Sequence, residues 1–265
     1  MNSNFRPAPF VLLSSGHGTL IVNRNDHHMG DTDRGFGVGY QLFKSSYYEP
    51  KEISLALTLL SLRLEHFGAG VVAIDCGANI GIHTIEWAKF MHGWGEVISV
   101  EAQERIFYAL AGNVAINNCF NVKAMHAAAG AVQGTIDIPQ PDYLTPSSFG
   151  SLELRKSDRN EFIGQKIDYE ASNCQTIPLI SIDSLDLKRL DFLKIDVEGM
   201  ELEVLAGAKS SIAKFKPILL IETIKTDQLL LTKELDALGY RYIQFGINAV
   251  PIHASDPCLE KLISL

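Results

Sequence analysis

The chain has 265 residues, 46% of them hydrophobic and 20% charged. That is enough apolar mass for a sizeable core and excludes a disordered chain. The formal net charge of −8 argues against broad nucleic-acid binding, because an acidic surface repels phosphate backbones. The four cysteines, Cys76, Cys119, Cys174 and Cys258, show neither CxxC spacing nor a zinc pattern, so a reduced cytoplasmic protein is expected. The start lacks a signal-peptide pattern, and no apolar run reaches the roughly 20 residues of a membrane span.

Residues 1–49 read as a small N-terminal cap. Phe10 to Leu13 and Thr19 to Val22 flank Gly16 and Gly18, the pattern of a hairpin. The glycine-rich stretch Gly30 to Gly39 reads as a flexible loop over a site. Asp26, His27, His28 and Asp31 lie close in sequence, but adjacent histidines on a strand point to opposite faces, and no metal is expected there. From Pro50, after Glu49, a helix is expected, with Ile53, Leu57, Leu60, Leu64 and Phe67 as its core stripe and Gly68 at its end.

From Val71 strands and helices alternate. Strands are predicted at Val71 to Asp75, Glu96 to Val100, Asn121 to Ala129, Asp191 to Val197, Pro217 to Thr223 and Tyr240 to Gly246, with a last one near Ala249 to His253. Helices are predicted at Ile82 to Met91, Arg105 to Asn117, Gly199 to Phe215 and Asp227 to Leu238. Residues 130–190 break the rhythm and read as hairpin and loop on the rim, with β-like runs at Thr135 to Ile138 and Thr176 to Ile182. Arg155, Lys156 and Arg159 are interspersed with acids and read as a solvated segment. Strand–helix repetition gives an α/β class: a doubly wound, mostly parallel sheet filling residues 50–265.

Three places carry chemistry. The run Ile74 to Thr84, IDCGANIGIHT, is a strand, an acid, a glycine turn and a helix start. In a doubly wound sheet such a turn is where ligands bind. It is not the GxGxxG of a dinucleotide site, whose helix-start amides hold pyrophosphate. Asp75 at the strand end suits a cofactor with positive charge and no phosphate. Glu101, closing the second strand, can accept hydrogen bonds from ribose hydroxyls. In LKIDVEG, Leu193 to Gly199, period two puts Lys194 and Asp196 on one face. Asp196, Glu198 and Glu222 then converge on one rim. They are the candidates to take a proton from a substrate hydroxyl, bind a polyol or hold a divalent cation. Glu198 could instead favour a helix N-terminus, and Asp196 could be a structural partner of Lys194.

These runs, above all FLKIDVEGMELEVLAGA from Phe192 to Ala208, resemble the FkbM family of methyltransferases over about Tyr47 to Glu222. The resemblance implies a Rossmann-like methyltransferase fold with seven strands, mostly parallel, the last reversed. It implies S-adenosylmethionine and O-methylation of a small-molecule hydroxyl on a sugar, glycolipid or polyketide-like product. By position it assigns cofactor binding to Asp75, Gly77, Ala78, Asn79, Gly81, His83, Thr84, Glu101 and Asp196, with Ala127 and Ala128 near the adenine. It assigns the methyl-transfer site to Asp196, Glu198 and Glu222, with Asp196 as first choice for the base. The sequence departs from its relatives in lacking a proline after Glu101 and in placing Cys76 where a small aliphatic residue is usual. The competing classes are an NAD-dependent oxidoreductase and a non-catalytic cofactor-binding protein.

Overall fold

The computed structural model describes residues 6–30 and 35–263; Asp31 lies outside the described residues. The chain divides into two compact units. The described parts of Met1–Tyr48 and Asp137–Gln175 form one, and those of Glu49–Ile136 and Thr176–Leu265 form the other.

In the first unit, β1 (Phe10–Ser15) and β2 (Gly18–Asn23) make the expected antiparallel hairpin, paired from Phe10↔Asn23 to Ser15↔Gly18. β3 (His28–Met29) pairs with β4 (Gly35–Phe36), and α1 (Val38–Ser45) follows. The glycine stretch therefore does not remain a loop at its C-terminal end: Val38 and Gly39 are buried. The reason is Asp26, a buried carboxylate that accepts from Gly39 N at 2.9 Å and Phe149 N at 3.1 Å. Residues 137–175 join this unit through Asn23 Nδ2 on the Tyr143 carbonyl (3.0 Å) and the packing of Tyr143 on Phe10 (6.4 Å).

The second unit begins with α2 (Pro50–Phe67) and β5 (Val71–Cys76). It continues with α3 (Ile82–Phe90), β6 (Gly95–Glu101), α4 (Glu104–Ile116) and β7 (Val122–His126). Next come β8 (Ala128–Ala129), β9 (Gly134–Pro139) and β10 (Cys174–Ile180), of which Asp137–Pro139 and Cys174–Gln175 count with the first unit, and then β11 (Phe192–Ile195). Then follow α5 (Glu201–Gly207), α6 (Lys209–Phe215), β12 (Ile218–Glu222) and α7 (Gln228–Ala237). The last elements are β13 (Tyr240–Phe245), β14 (Asn248–His253) and α8 (Cys258–Ile263). A seven-stranded sheet runs in the order β13-β14-β12-β11-β5-β6-β7. Only β14 opposes its neighbours β12 and β13; the other pairings are parallel. This is the doubly wound, mostly parallel sheet of a Rossmann-like methyltransferase fold, its last strand reversed.

The central strands are apolar throughout because both faces are covered. Leu193 and Ile195 of β11 share a core with Val204, Leu205 and Ile212 of α5 and α6 and Leu231 and Leu235 of α7. Phe192 points the other way and meets Trp87 of α3 edge-on at 5.2 Å. Period two therefore sends Lys194 toward the α2/α3 face. At the sheet's N-terminal edge, Asp191 accepts from Val72 N at 2.9 Å and Arg189 Nε at 2.7 Å, and pairs with Arg63, which also holds Asp256.

Three expectations change. The buried face of α2 is Glu52, Ile53, Ala56, Leu59, Leu60, Leu62 and Arg63. Phe67, expected in the stripe, is 45% exposed, with the Arg63 guanidinium over its ring. The strand expected over Asn121 to Ala129 splits at Ala127, because β8 leaves the main sheet to pair in parallel with β10, in a three-stranded sheet ordered β8-β10-β9. The helix expected over Gly199 to Phe215 breaks at Ala208. There Gly207 presses on the Gly130 carbonyl, while Asp183 accepts from Ser210 N (2.9 Å) and Ser211 N (2.7 Å) and caps the second half. α8 had no sequence forecast. Among the described residues no helix is long and apolar enough to cross a membrane.

Candidate active site

Asp75, Glu101, Asp196 and Glu222 all sit at the carboxyl edge of the parallel strands, at or beside the ends of β5, β6, β11 and β12. The turn after β5 is pressed against the end of β11. Gly77 has φ +78°, and a Cβ there would lie 1.7 Å from the Asp196 carbonyl oxygen. Only glycine allows that approach. Asp196 N in turn donates to the Cys76 carbonyl at 3.1 Å.

The backbone amides of this turn are committed internally. Gly77 N and Ala78 N donate to the Val100 carbonyl, both at 3.0 Å, and Gly81 N to the Ala78 carbonyl at 2.9 Å. Asn79 N donates to Glu101 Oε2 at 2.9 Å and Ile80 N to Asn79 Oδ1 at 2.7 Å. A pyrophosphate needs free amides at this position, and residues 77–81 offer none.

Glu101 is the last residue of β6. It receives Asn79 N and, on Oε1, Gln103 N at 2.8 Å. Burial pushes its carboxyl up to about 7, against the pull of these amides. Each oxygen keeps acceptor capacity for a further donor. Asp75 Oδ2 accepts from Thr84 Oγ1 at 2.7 Å, and Thr84 also meets Ser99 Oγ at 2.8 Å. Asp75 Oδ1 is buried without a hydrogen-bond partner, with Lys194 Nζ at 3.9 Å. His83, in the first turn of α3, is spent on Glu52 at 3.2 Å. Ala127 and Ala128 are each 2% exposed, and Ala127 N donates to the Glu101 carbonyl. Of the first-unit cluster, Asp26 is committed to two amides, and His28 stands edge-on to Phe162.

Asp196, Glu198 and Glu222 do come together. One oxygen from each lies within 4.8 Å of the others, the only such group of metal-ligating side chains among the described residues. A hard divalent cation takes oxygens so disposed. Asp196 is bound by Lys194 at 2.6 Å, yet its side chain is 31% exposed. Glu198 sits at φ +54° and pairs with Lys225 at 2.6 Å. The helix-start role falls instead to Glu201, whose Oε1 accepts from Val197 N and Gly199 N. Burial pushes the Glu222 and Glu198 carboxyls well above the usual range, and the neighbouring acids add to it.

The sequence profile of the methyltransferase FkbM domain matches residues 75–242, from the acid ending β5 into β13. The chain belongs to the FkbM methyltransferase family. It is similar to methyltransferase sdnD of Sordaria araneosa, 29% identical over 154 residues that cover 51% of this chain and 59% of that protein. A solved FkbM methyltransferase of Methylobacillus flagellatus KT aligns with TM-score 0.49 and 19% identity over 72% of this chain and 48% of that one. Precorrin-6y C5,15-methyltransferase of Geobacter metallireducens GS-15 aligns with TM-score 0.43 and 12% identity, over 78% and 89% of the two chains. The chain thus spans less than two thirds of the length of the first two.

This FkbM-family chain also holds site neighbours that sequence reasoning missed. Glu52 of α2 accepts from Asn248 Nδ2 at 2.6 Å besides meeting His83. Burial would raise its carboxyl, but His83, Lys194 and Asn248 outweigh that and hold it at about 2. Asn248 is the cross-strand partner of Glu222. Lys194 is thereby surrounded by Asp196, Asp75 and Glu52, whose charges outweigh burial and push its ammonium above the usual lysine range. The one signal for Glu52 was an acid on the buried side of an amphipathic helix.

Proposed function

We propose that the protein is an S-adenosylmethionine-dependent O-methyltransferase acting on a hydroxyl of a small, carbohydrate-like molecule, whether sugar, glycolipid or polyketide-like product. Residues 50–265 would form the catalytic domain and residues 1–49 a cap. The free cysteines suit a reducing cytoplasm. The observation that carries the reading is the Gly77 turn packed on Asp196, which joins a phosphate-free cofactor turn to three carboxylates.

The residues present fit the cofactor. Asp75 offers a buried acceptor with no hydrogen-bond partner, and Glu101 offers oxygens for a ribose. Gly77, Ala78, Asn79 and Gly81 would form the wall, with His83 and Thr84 holding it from behind and Ala127 and Ala128 on the adenine side. When bound, S-adenosylmethionine supplies a methyl group already activated by a sulfonium. The protein's contribution is then alignment, worth roughly 7–11 kcal/mol, and proton removal, worth roughly 10²–10⁴-fold. Asp196, salt-bridged to Lys194 and partly exposed, takes the acceptor's proton, and Glu198 and Glu222 hold the acceptor's hydroxyls.

Thermal unfolding with S-adenosylmethionine, S-adenosylhomocysteine and NAD tests the cofactor. A ligand at 100 times its Kd stabilises by about 2.7 kcal/mol, so the first two raise the midpoint by roughly 5–10 °C. A rise with NAD alone would overturn the reading in favour of an oxidoreductase. Asp196→Asn tests the base: labelled-methyl turnover falls roughly 10²–10⁴-fold while cofactor binding persists, and unchanged turnover would remove the role. The 4.8 Å carboxylate cluster favours a second reading, in which a divalent cation orients the acceptor oxygen. Activity lost to EDTA and restored by Mg²⁺ supports it; activity untouched by EDTA removes it.

A further inference from the structure

The first unit contains a cleft that the methyl-transfer chemistry does not use. It has a volume of about 380 Å³ and is lined by Arg24, His27, Tyr40, Phe43 and Lys44. That volume lies within the roughly 300–1,000 Å³ typical of small-molecule sites.

The local sequence builds it. Arg24 and His27 flank the turn that leaves β2. Tyr40, Phe43 and Lys44 stand at i, i+3 and i+4 on α1, hence on one face of that helix. Asp26 fixes the helix to the turn, accepting Gly39 N on its carboxylate and Tyr40 N on its carbonyl, both at 2.9 Å. Gly37 makes this approach possible: at φ +114°, a Cβ there would lie 2.5 Å from the Asp26 carbonyl oxygen. The two halves of the lining are therefore held together by the backbone rather than by surface side chains.

The lining has two chemical parts. Phe43 supplies a ring, 48% exposed, while the Tyr40 ring packs on Gly35 and has Lys44 over it. Arg24 and Lys44 supply positive charge at the rim. Lys44 Nζ stands 3.4 Å from Tyr40 Oη and 5.3 Å from the ring centroid. Among the described residues neither cation has a carboxylate partner, and Asp26 is spent on its two amides. On a chain of net charge −8, the described lining residues carry only positive charge, which concentrates anions. Arginine binds phosphate and carboxylate through its planar fork, and aromatic faces take the apolar face of a ring.

We propose that this cleft binds a ring-containing organic oxyanion, such as a sugar phosphate or sugar carboxylate, with its ring against Phe43 and its anion on Arg24 and Lys44. The inference rests on the first unit alone and does not depend on methyl transfer.

Calorimetric titration of the full chain with glucose 1-phosphate, glucuronate, glucose and inorganic phosphate tests it. At least one of the two anionic sugars binds, and more tightly than glucose or inorganic phosphate. Binding of glucose 1-phosphate alone makes the anion a phosphate; binding of glucuronate alone makes it a carboxylate. Arg24→Ala and Lys44→Ala each weaken that binding by about 10- to 100-fold, the loss of one charge-assisted hydrogen bond. Both side chains are exposed, so the thermal midpoint does not change. Lys156→Ala, at an exposed cation elsewhere in the same unit, leaves affinity unchanged. Failure of both anionic sugars to bind, or binding indifferent to Arg24→Ala and Lys44→Ala, would overturn the proposal. Inorganic phosphate binding as tightly as the sugar phosphate would remove the role of the ring.

Discussion

Replacing Lys194 by methionine exposes how much the second unit depends on one buried cation. Lys194 is 3% exposed, with Asp196 at 2.6 Å, Asp75 at 3.9 Å and the Glu52 charge acting on it as well. Methionine preserves most of the stem volume and removes the charge. It leaves Asp75, 0% exposed, facing Asp196 with no cation between them. Breaking a buried pair by removing one partner costs about 3–5 kcal/mol, so Lys194→Met should lower the unfolding midpoint by roughly 6–20 °C at neutral pH. The carboxylates raise the pKa of Lys194 in the folded state, so its contribution is fully present below the unfolded lysine value of about 10.4 and is lost only as pH rises beyond it. Urea titration at pH 7 measures the deficit. A loss below about 1 kcal/mol at pH 7, against the 3–5 expected, would refute the view that this cation holds the acids together.

Gly77→Ala should abolish cofactor-dependent stabilisation and lower the midpoint, since its Cβ would meet the Asp196 carbonyl at 1.7 Å; a variant that binds S-adenosylmethionine like the parent would show that the turn is not packed this way. Glu101→Gln tests the pH linkage. Its folded pKa of about 7 lies above the unfolded value, so the folded state holds the proton more tightly and stability falls as pH rises from about 4.5 to about 7. At 1.36 kcal/mol per unit this amounts to about 3 kcal/mol. Glu101→Gln should lack that share of the decline between pH 5 and pH 8 in denaturant titrations, and parallel curves for the two proteins would contradict it.

What the linear sequence determined is what depends on short-range pattern. Alternating apolar runs and helical stripes specified the parallel sheet. The spacing of Asp75, Gly77 and Gly81 specified a turn at a strand end, and LKIDVEG put Asp196 at another, because period two and sheet polarity fix which edge a residue reaches. Edges are therefore legible without coordinates. What only the tertiary structure decided is which distant groups share a charge. Glu52 and Asn248 are 196 residues apart, yet they hydrogen-bond, and no local pattern joins them. The direction of α2 was misjudged by about one residue, because Glu52 and Arg63 face inward to meet partners from distant strands, and a stripe read from apolar residues alone passes over them. The strand switch at Ala127 and the helix break at Ala208 have the same origin: each follows from a backbone contact with a segment far away in sequence, whose free energy exceeds the small local preference for continuing the strand or helix.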